Sequence, residues 1–526
     1  MIHRLIRRVP RLRALLVNAA VLFALPAAAQ GGEAEERTAR YFDAIRSQPR
    51  DLAIFIREMP KGADLHSHLS GAIYAESYLR WAAEDGLCVN TRSLGITSSP
   101  CTPNDTLRLA STIPDTSSLY DQVVNAMSMR GWTPRSGISG HDQFFGTFRR
   151  MNTTERRVGD MLAEAANRAA IGRVRYLELM LTVDGSAARN LGSALPWTDD
   201  FGAMRDTLLA RGLGAVITAS RARLTTIEAR RDTVLGCGTA NPQPGCDVEA
   251  RWLYQVSRAA PPGRAFAQIL TGFMLAQADR RVVGLNLVQP EDDTLAMNEY
   301  SRQMRMIQFL RPLYPGVKVT LHAGELVPEL VRNDPAGLRF HIREAVRVAG
   351  ASRIGHGVDI MHEDSSAELM REMARNRVMV EINLTSNDVI LGIRGAEHPL
   401  HAYMAAGVPV ALSTDDEGVA RSEMSMEYMK AVTDQNLGYP ALKMMARTSL
   451  QHAFVDGDPL WRNLSSLTPA DPCAPSAGGM QGARCRAFVR RSPKAMLQWR
   501  LERDFARFET QAVQSAQGTR MVAGAR

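Results

Sequence analysis

The amino-acid sequence predicts an α/β fold of the (β/α)8 barrel type, of the TIM kind, with additional helices and disulfide-bearing insertions. Short apolar segments typical of buried strands alternate with amphipathic segments along most of the chain, which indicates a parallel sheet. Polar residues suited to catalysis follow the first, fifth, sixth and eighth predicted strands, and only a closed barrel brings these four ends together. An open doubly wound sheet, which usually has one cleft, is the alternative.

Eight strands and seven intervening helices are predicted from the spacing of apolar residues. The predicted strands are residues 63–68, 174–181, 214–219, 282–288, 317–321, 353–357, 378–384 and 408–413. The predicted helices are residues 155–171, 201–211, 264–278, 297–311, 338–349, 365–376 and 399–406.

The 526 residues exceed one ordinary domain, but barrels with insertions can exceed ~400 residues. We predict one large catalytic domain at 61–508, with two independent domains as the alternative. Insertions are expected at about 85–140 and 221–262. A helical extension at 30–60 precedes the barrel, and a polar tail at 509–526 follows it.

Residues 1–29 have the composition of a cleaved export signal. They contain five arginines and no acidic residue, then an apolar run at 14–26 and Ala27-Ala28-Ala29 before Gln30. A membrane anchor is the alternative, but the apolar run is short for a bilayer span. The Arg7-Arg8 pair leaves open whether export is of the general or the twin-arginine kind. We therefore expect a periplasmic or secreted protein with no stable membrane insertion after cleavage.

The net charge of +8 is concentrated in that segment, and the remaining residues carry only +3. This weak excess argues against a nucleic-acid partner.

The six cysteines fall into three close pairs, each of which brackets a segment rich in glycine, proline, asparagine or serine. An exported chain meets an oxidising compartment, so we predict three local disulfides. Different pairing or free thiols remain alternatives because only proximity supports the pairing, and a zinc cluster is disfavoured because no C-x-x-C occurs. The predicted pairs are Cys88 with Cys101, Cys237 with Cys246, and Cys473 with Cys485.

The predicted strand ends supply a set of metal ligands. His66 and His68 are two residues apart on a predicted strand, so both side chains lie on the same face of the sheet. With His322 and Asp415 they provide three nitrogens and one oxygen, which suits one Zn²⁺ per chain and leaves a position for water. Zinc can bring the pKa of such a water to ~7.

Two further residues are placed for proton chemistry. Glu325 follows His322 by three residues and is positioned as a general acid or base, and His356 is positioned to hydrogen-bond a hydroxide or oxyanion. Each feature alone has an ordinary explanation, since single histidines are often core residues and Asp415-Asp416 alone would usually be a turn or helix cap. Their shared position at strand ends of one barrel favours the functional interpretation.

These motifs resemble those of the adenosine/AMP deaminase family of metal-dependent hydrolases. The resemblance covers about residues 58–455. It extends to the stretch from His398-Pro399 through Ala406-Gly407-Val408. The export signal, N-terminal extension and disulfide-bearing insertion are similar to the secreted growth-factor branch of that family. The matching motifs are Pro60–His68, His322-Ala323-Gly324-Glu325, Arg353-Ile354-Gly355-His356-Gly357 and Ser413-Thr414-Asp415-Asp416.

The resemblance implies hydrolytic deamination of adenosine or a related purine nucleoside to inosine and ammonia. Glu325 would protonate purine N1, while His356 and Asp415 would orient the hydroxide that attacks C6. Asp416 would hydrogen-bond N7. The substrate-contacting residues implied in this way are His68, Ser70, Gln289 and Asp416.

Two departures from the family pattern concern the substrate. Ser70 stands where the family usually has an acidic residue that contacts the ribose, and Gln289 stands where it has a glycine whose backbone meets purine N3. A bulky side chain at 289 is expected to close or reshape that edge of the pocket. Glu178 also matches a family strand, with a structural role and a substrate contact as alternatives.

Two other function classes remain open at this stage. One is a barrel amidohydrolase that acts on a different amine, amide or ester, and the other is a secreted zinc-containing binding or signalling protein. Glu325 and His356 argue against the second, because a structural zinc needs neither. The motifs of base-flipping zinc deaminases, serine hydrolases, zincins and P-loop proteins are absent from the sequence. The oligomeric state stays open, with a homodimer among the alternatives.

Overall fold

A computed structural model describes the backbone of residues 27–524 and, within that range, the side chains of residues 32–512 and 514. Residues 1–26 of the expected export signal lie outside the described residues. None of the described helices combines the length and the apolar character that crossing a bilayer requires.

The described chain contains strands and helices in the following order. The strands are β1 Gly62–His68, β2 Cys88–Asn90, β3 Gly95–Ile96, β4 Leu107–Leu109, β5 Val174–Leu181, β6 Glu249–Ser257, β7 Val282–Val288, β8 Lys318–Ala323, β9 Arg353–His356, β10 Met379–Ile382, β11 Val410–Leu412, β12 Trp461–Asn463 and β13 Thr468–Pro469. The helices are α1 Ala27–Ile45, α2 Pro49–Glu58, α3 Ala75–Glu84, α4 Ser118–Ala126, α5 Gly140–Phe148, α6 Arg157–Ile171, α7 Ala187–Ser193, α8 Phe201–Ala210, α9 Leu213–Leu235, α10 Pro262–Ala278, α11 Thr294–Leu310, α12 His341–Arg347, α13 Ser366–Asn376, α14 Leu384–Leu391, α15 Leu400–Ala405, α16 Glu417–Ala420, α17 Met424–Thr433, α18 Tyr439–His452, α19 Ala483–Arg491 and α20 Pro493–Gly524.

Eight parallel strands form the predicted barrel, in the order β1-β5-β6-β7-β8-β9-β10-β11. A parallel bridge between Ser67 and Asp415 joins the first strand to the end of the last. The His68 N–H donates to the Asp415 carbonyl at 3.1 Å, and the Asp415 N–H donates to the His66 carbonyl at 2.9 Å. These bonds confirm the barrel over the open sheet, and the C-terminal strand ends form one rim, here called the mouth.

The barrel strands are buried on both faces because side chains fill the interior and helices cover the outside. All seven residues of β1 are buried. Gly62 shows how closely α18 approaches this strand, since a Cβ built there would lie 2.3 Å from the Ala446 carbonyl oxygen. Its φ of 71° also favours glycine.

The third predicted strand is wrong. Residues 214–219 lie inside helix α9, which buries Leu213, Ile217 and Leu224 at helical spacing. The third barrel strand is β6, so residues 221–262 are not one insertion: they contain the rest of α9, a disulfide loop and a barrel strand. The apolar run at 214–219 has strand-like composition, but the apolar period beyond it is that of a helix.

The polar tail predicted at 509–526 is also wrong as a separate segment. Helix α20 continues through Gly524, across the expected boundary. Glu509 is buried and accepts hydrogen bonds from the Tyr439 hydroxyl at 2.7 Å and the Lys443 ammonium at 2.5 Å. Lys443 also donates to Glu35 of α1 at 2.8 Å, so the first and last helices are tied to α18 at one point.

The insertion predicted at about 85–140 lies above the mouth. It contains the small sheet β3-β2-β4 and helix α4, and helix α5 follows it. The Met129 N–H donates to the Val419 carbonyl at 2.8 Å. His141 of α5 pairs with Asp292, beyond β7, at 3.0 Å. These contacts attach the insertion to two sides of the barrel rim.

The structure confirms the three predicted disulfides, Cys88–Cys101, Cys237–Cys246 and Cys473–Cys485. Each closes a short loop, with sequence separations of 13, 9 and 12 residues.

Peptide mapping of the unreduced protein should therefore recover only these three linked pairs. In the chain-entropy treatment, loops of this size stabilise the fold by about 2.5–3 kcal/mol each. Replacing both Cys237 and Cys246 by serine should lower the denaturant midpoint, and the Cys88/Cys101 double variant provides the comparison. A linked peptide that joins two different loops, such as Cys88 with Cys246, would contradict the pairing.

Candidate active site and metal centre

The barrel mouth brings together the four residues predicted to bind a metal. His66 and His68 come from β1, His322 from β8, and Asp415 follows β11. The Nε2 atom of His322 lies 3.0 Å from His66 Nε2 and 3.2 Å from His68 Nε2. Asp415 Oδ1 lies 3.7 Å from His66 Nε2 and 3.4 Å from His68 Nε2. All four side chains are buried.

The other nitrogen of each imidazole is occupied by a partner outside this cluster. His66 Nδ1 faces Glu381 Oε2 at 2.6 Å and His68 Nδ1 faces Gln255 Oε1 at 3.3 Å. His322 Nδ1 faces Asn286 Oδ1 at 2.9 Å. The orientation of the Asn286 amide is fixed because the same oxygen accepts the backbone N–H of His322 at 2.9 Å.

These partners place the protons on Nδ1 and leave a lone pair on each Nε2. Burial, the largest influence, lowers the pKa of His68 to about 4 and that of His322 well below its ordinary value, so both are neutral. Burial lowers the pKa of His66, but the hydrogen bond and charge of Glu381 and the charge of Asp415 outweigh burial and raise that pKa above its ordinary value. Two lone pairs, a carboxylate oxygen and a third imidazole that can hold either a proton or a cation therefore face one another. A cation resolves this arrangement, and the donor set fits Zn²⁺.

Glu381 connects His66 to a buried arginine in the barrel interior. Its Oε1 accepts from Arg353 Nε at 2.6 Å and from Thr320 Oγ1 at 2.8 Å. Burial alone would raise the pKa of Glu381, but the charge of Arg353 and the bond to His66 hold it at about 2. The carboxylate therefore stays ionised and fixes both the ring orientation and the tautomer of His66.

Arg353 is balanced by a second carboxylate, Glu178, whose Oε2 accepts from Nη2 at 2.6 Å. Glu178 also accepts from the Tyr176 hydroxyl at 3.0 Å and from the Phe454 N–H at 2.5 Å. Every oxygen of Glu178 is thus used within the barrel, which favours the structural alternative for this residue.

Glu325 is buried beside the metal-binding cluster. Burial, followed by the negative charge of Asp415, raises the pKa of Glu325 well above its ordinary value. A carboxyl group with a raised pKa holds its proton more readily and is suited to donate it. Its Oε1 lies 3.6 Å from His356 Nδ1.

The backbone around Glu325 is held by a second buried carboxylate. Glu291 accepts the N–H of Gly324 at 3.1 Å and the N–H of Glu325 at 2.9 Å. Glu291 is itself held by His341 Nδ1 at 2.6 Å and by Arg258 Nη1 at 3.6 Å. Arg258 also donates to the His322 carbonyl at 3.1 Å. One ionic cluster therefore positions both the ligand and the proton carrier.

His356 and Asp415 face each other across the site, with 3.8 Å between His356 Nε2 and Asp415 Oδ2. The same carboxylate oxygen accepts a hydrogen bond from the Ser386 hydroxyl at 2.6 Å. Asp415 thus presents one oxygen to the imidazoles of β1 and the other to Ser386 and His356.

The residues expected to contact the substrate are placed differently from one another. Asp416 is buried, its Oδ1 has no partner among the described residues, and burial together with the charge of Asp415 raises its pKa well above the ordinary value. Ser70 is exposed. Gln289 turns its side chain to accept the Ala259 N–H at 3.1 Å, so its amide oxygen is engaged with the neighbouring loop.

Three non-glycine residues of the mouth have left-handed backbone conformations: Gln289 with φ 84°, His356 with φ 68° and Asp415 with φ 59°. Such conformations cost about 1–3 kcal/mol each and concentrate at functional sites. Each lies where a strand turns sharply into its loop. The φ of Gln289 shows that this position has the backbone shape of the expected glycine although it carries a side chain.

The residues that orient the predicted ligands were not predicted from the sequence. A signal was present for three of them, because Glu381, Asn286 and Gln255 are single polar residues within apolar runs of their strands. Glu291 and Ser386 carry no comparable signal.

Part of the chain matches known adenosine deaminases. Residues 217–467, slightly less than half of the chain, match the family model described as adenosine deaminase. The chain is 33% identical over 141 residues to the adenosine deaminase of Shewanella loihica, which is 27% of this chain and 39% of that protein. It is 34% identical over 141 residues to the adenosine deaminase of Vibrio parahaemolyticus, 27% of this chain and 38% of that protein. The matched segment thus spans about two-fifths of the length of these relatives.

Solved structures share the fold over most of the chain. An amidohydrolase from Burkholderia ambifaria, with bound Zn, aligns with a TM-score of 0.51 and 17% identity over 86% of this chain and 94% of its own. Arabidopsis ADAL, complexed with GMP, aligns with a TM-score of 0.51 and 20% identity over 78% of this chain and 96% of its own. At these identities the likeness shows the barrel fold.

The geometry predicts one tightly bound divalent ion per chain. His66→Ala and Asp415→Ala should each lose the ion, because each removes one of four converging ligands. Elemental analysis of the purified variants measures this directly. His362→Ala, at an exposed histidine away from the cluster, is the matched control and should retain the ion. Full metal content in both ligand variants would contradict the ligand assignment.

Proposed function

We propose that the protein is a zinc-dependent hydrolase that deaminates adenosine or a related purine nucleoside to inosine and ammonia. The observation that carries the proposal is the position of Glu325, a buried carboxyl group with a raised pKa beside three imidazoles and a carboxylate that converge. Hydrolytic deamination needs a proton for the ring and an activated water at the adjoining carbon. Glu325 would supply the proton, and the converging imidazoles and carboxylate would hold the metal that activates the water.

Zinc held by His66, His68, His322 and Asp415 would bring the pKa of a water to ~7 and so make a nucleophile available at neutral pH. The protein residues supply the rest. Glu325 donates a proton to purine N1, which makes C6 electrophilic, and the water oxygen then forms a bond to C6. The hydroxyl proton of the resulting tetrahedral carbon passes to the amino group, so that the C6–N bond breaks and ammonia leaves. His356 and Asp415, whose Nε2 and Oδ2 atoms lie 3.8 Å apart, orient the attacking oxygen by hydrogen bonds.

The raised pKa of Asp416 suits this residue for recognition of a purine. Purine N7 carries no hydrogen and can only accept a hydrogen bond. Burial and the charge of Asp415 raise the pKa of Asp416, which favours its protonated form, and its Oδ1 has no partner among the described residues. A protonated Asp416 can therefore donate to N7 and fix the base in register with Glu325.

The similarities to known proteins support this proposal. The matching family segment includes Gln289, Glu325, His356 and Asp415. The Burkholderia amidohydrolase has bound Zn, and the Arabidopsis protein is complexed with GMP, a purine nucleotide. Ser70 is uncharged, so it can hydrogen-bond a substrate hydroxyl but brings no charge to the sugar end of the site.

We also propose that the protein is exported to the periplasm or secreted. The N-terminal composition and the three disulfides support this. A relation to the secreted growth-factor branch stays a prediction.

Ammonia release from a panel of purine nucleosides, nucleotides and bases is the first test of the proposed activity. Adenosine or a close nucleoside should give the highest kcat/KM. Release from an unrelated amide or ester with none from any purine would favour a different amidohydrolase. Zinc content with no turnover of any substrate would favour a binding or signalling role.

Glu325→Gln should retain zinc and substrate binding, because the amide has the shape of the carboxyl group but cannot deliver the proton. General acid catalysis typically contributes about 10²–10⁴-fold, so kcat should fall by that factor. KM should change little, because the lost interaction belongs to the transition state. Glu329→Gln, an exposed neighbour on the same loop, is the control. Near-normal kcat in Glu325→Gln would refute the assigned role.

Asp416→Asn should behave differently, because the substitution alters a contact with the base itself. The asparagine NH₂ can still donate a hydrogen bond. It replaces the carboxyl proton that is proposed to bind purine N7, and it also replaces the acidic group beside Asp415. KM should rise and kcat should fall together, measured on the best substrate of the panel. A change confined to kcat would contradict contact with the bound base.

A further inference from the structure

A chain of buried side chains that the catalytic scheme does not use leads to His356. His356 lies at the end of β9, and its Nδ1 faces the Nδ2 of Asn387 on α14 at 2.9 Å. Asn387 Oδ1 faces His398 Nε2 at 3.1 Å, and His398 Nδ1 faces the backbone nitrogen of Leu400 at 3.2 Å. His356 and Asn387 are fully buried and His398 is 3% exposed.

The direction of every bond in this chain is determined from its backbone end. Leu400 is the first residue of α15, where backbone N–H groups have no partner within the helix. An N–H can only donate, so His398 Nδ1 accepts. A neutral imidazole with an accepting Nδ1 carries its proton on Nε2. His398 therefore donates to Asn387, which fixes the amide with its oxygen towards His398 and its NH₂ towards His356.

The amide NH₂ of Asn387 can likewise only donate, so His356 Nδ1 accepts and the proton of His356 lies on Nε2. That is the nitrogen that faces Asp415 Oδ2 at 3.8 Å. Asn383 does not change this result. Its Nδ2 lies 3.4 Å from both ring nitrogens of His356 and therefore favours neither tautomer.

We propose that Asn387 and His398 are positioning residues that fix the tautomer of His356, so that an Nε2–H points at the reacting oxygen. The inference rests on the proposed function for its catalytic meaning. Without this chain, His356 could place its proton on Nδ1, 3.6 Å from Glu325 Oε1, and would present a lone pair to the attacking oxygen. A lone pair there cannot donate a hydrogen bond to that oxygen.

The tautomer can be measured without any assay of activity. Two-bond ¹⁵N–¹H correlation spectra of the full-length, metal-containing protein labelled with ¹⁵N-histidine distinguish a protonated from an unprotonated ring nitrogen. His356→Phe identifies the signals of His356 by their loss. We expect Nε2 protonated and Nδ1 unprotonated in the wild type. A proton on Nδ1 of His356 or of His398 would overturn the inference, whatever the substrate of the enzyme.

Asn387→Asp is the sharpest variant, because it keeps the side-chain shape and replaces the donor with an acceptor. The proton of His356 should then move to Nδ1. Catalytic histidines forced into the wrong tautomer lose up to about 10⁴-fold in kcat in hydrolases that orient the ring in a comparable way. Zinc content should be unchanged, since neither residue belongs to the proposed ligand set. An unchanged tautomer in a folded Asn387→Asp protein would overturn the proposal.

His398 offers a second pair of variants if the buried aspartate prevents folding. His398→Leu removes the donor, and kcat should fall by about 10–100-fold with KM little changed, as for other residues that orient a site residue through a hydrogen bond. His398→Gln retains an N–H near the same place and should restore most of the loss. His401→Gln, on the exposed side of α15, is the control. Equal losses in His398→Leu and His398→Gln would indicate packing alone and would contradict the relay.

The two proposals fail in distinguishable ways. No turnover by the wild type with the predicted tautomer present would refute the deaminase activity and leave the tautomer assignment standing. Turnover of adenosine with the opposite tautomer would refute the relay and leave the deaminase activity standing.

Discussion

The hydrogen bond between Glu381 and His66 is the interaction on which the metal centre and the barrel interior both depend. Glu381 is shared by His66, Thr320 and Arg353, and all of these groups are buried. Removal of one partner from such a network leaves an uncompensated buried charge, which costs about 3–5 kcal/mol. The charge balance through Glu178 therefore stabilises the barrel and orients the first ligand at the same time.

The strand-end residues could be predicted from sequence because their placement follows from topology alone. Residues at or just beyond the C-terminal end of a barrel strand lie at the mouth. His66, His322 and Asp415 are therefore expected near one another without knowledge of the strand register. Their partners could not be predicted in this way. Whether Asn286 reaches His322, or Glu381 reaches His66, depends on strand register and side-chain rotamers, and a lone polar residue in a strand does not reveal its partner.

The two wrong predictions of secondary structure have a common cause. Each rests on the composition of a short segment, whereas the helical spacing of apolar residues becomes visible only over a longer stretch. Residues 214–219 are apolar and β-branched, but the spacing of Leu213, Ile217 and Leu224 is helical. The polar stretch after 508 likewise hides a helical period, since Phe505, Phe508 and Ala512 are all buried. Local composition favoured a strand at 214–219 and a frayed end after 508. In both segments the packing of apolar residues over three or more turns determines a helix.

Closure of the barrel by Ser67 and Asp415 has a consequence for synthesis of the protein. At 5–20 residues per second, the roughly 350 residues between His68 and Asp415 take on the order of 20–70 s to translate. During that interval two imidazoles of the cluster exist without their carboxylate, and one edge of β1 has no neighbouring strand. An ion that requires all four ligands could therefore bind only after Asp415 has been made, and a chain that stops short of its last strand has an unpaired strand edge.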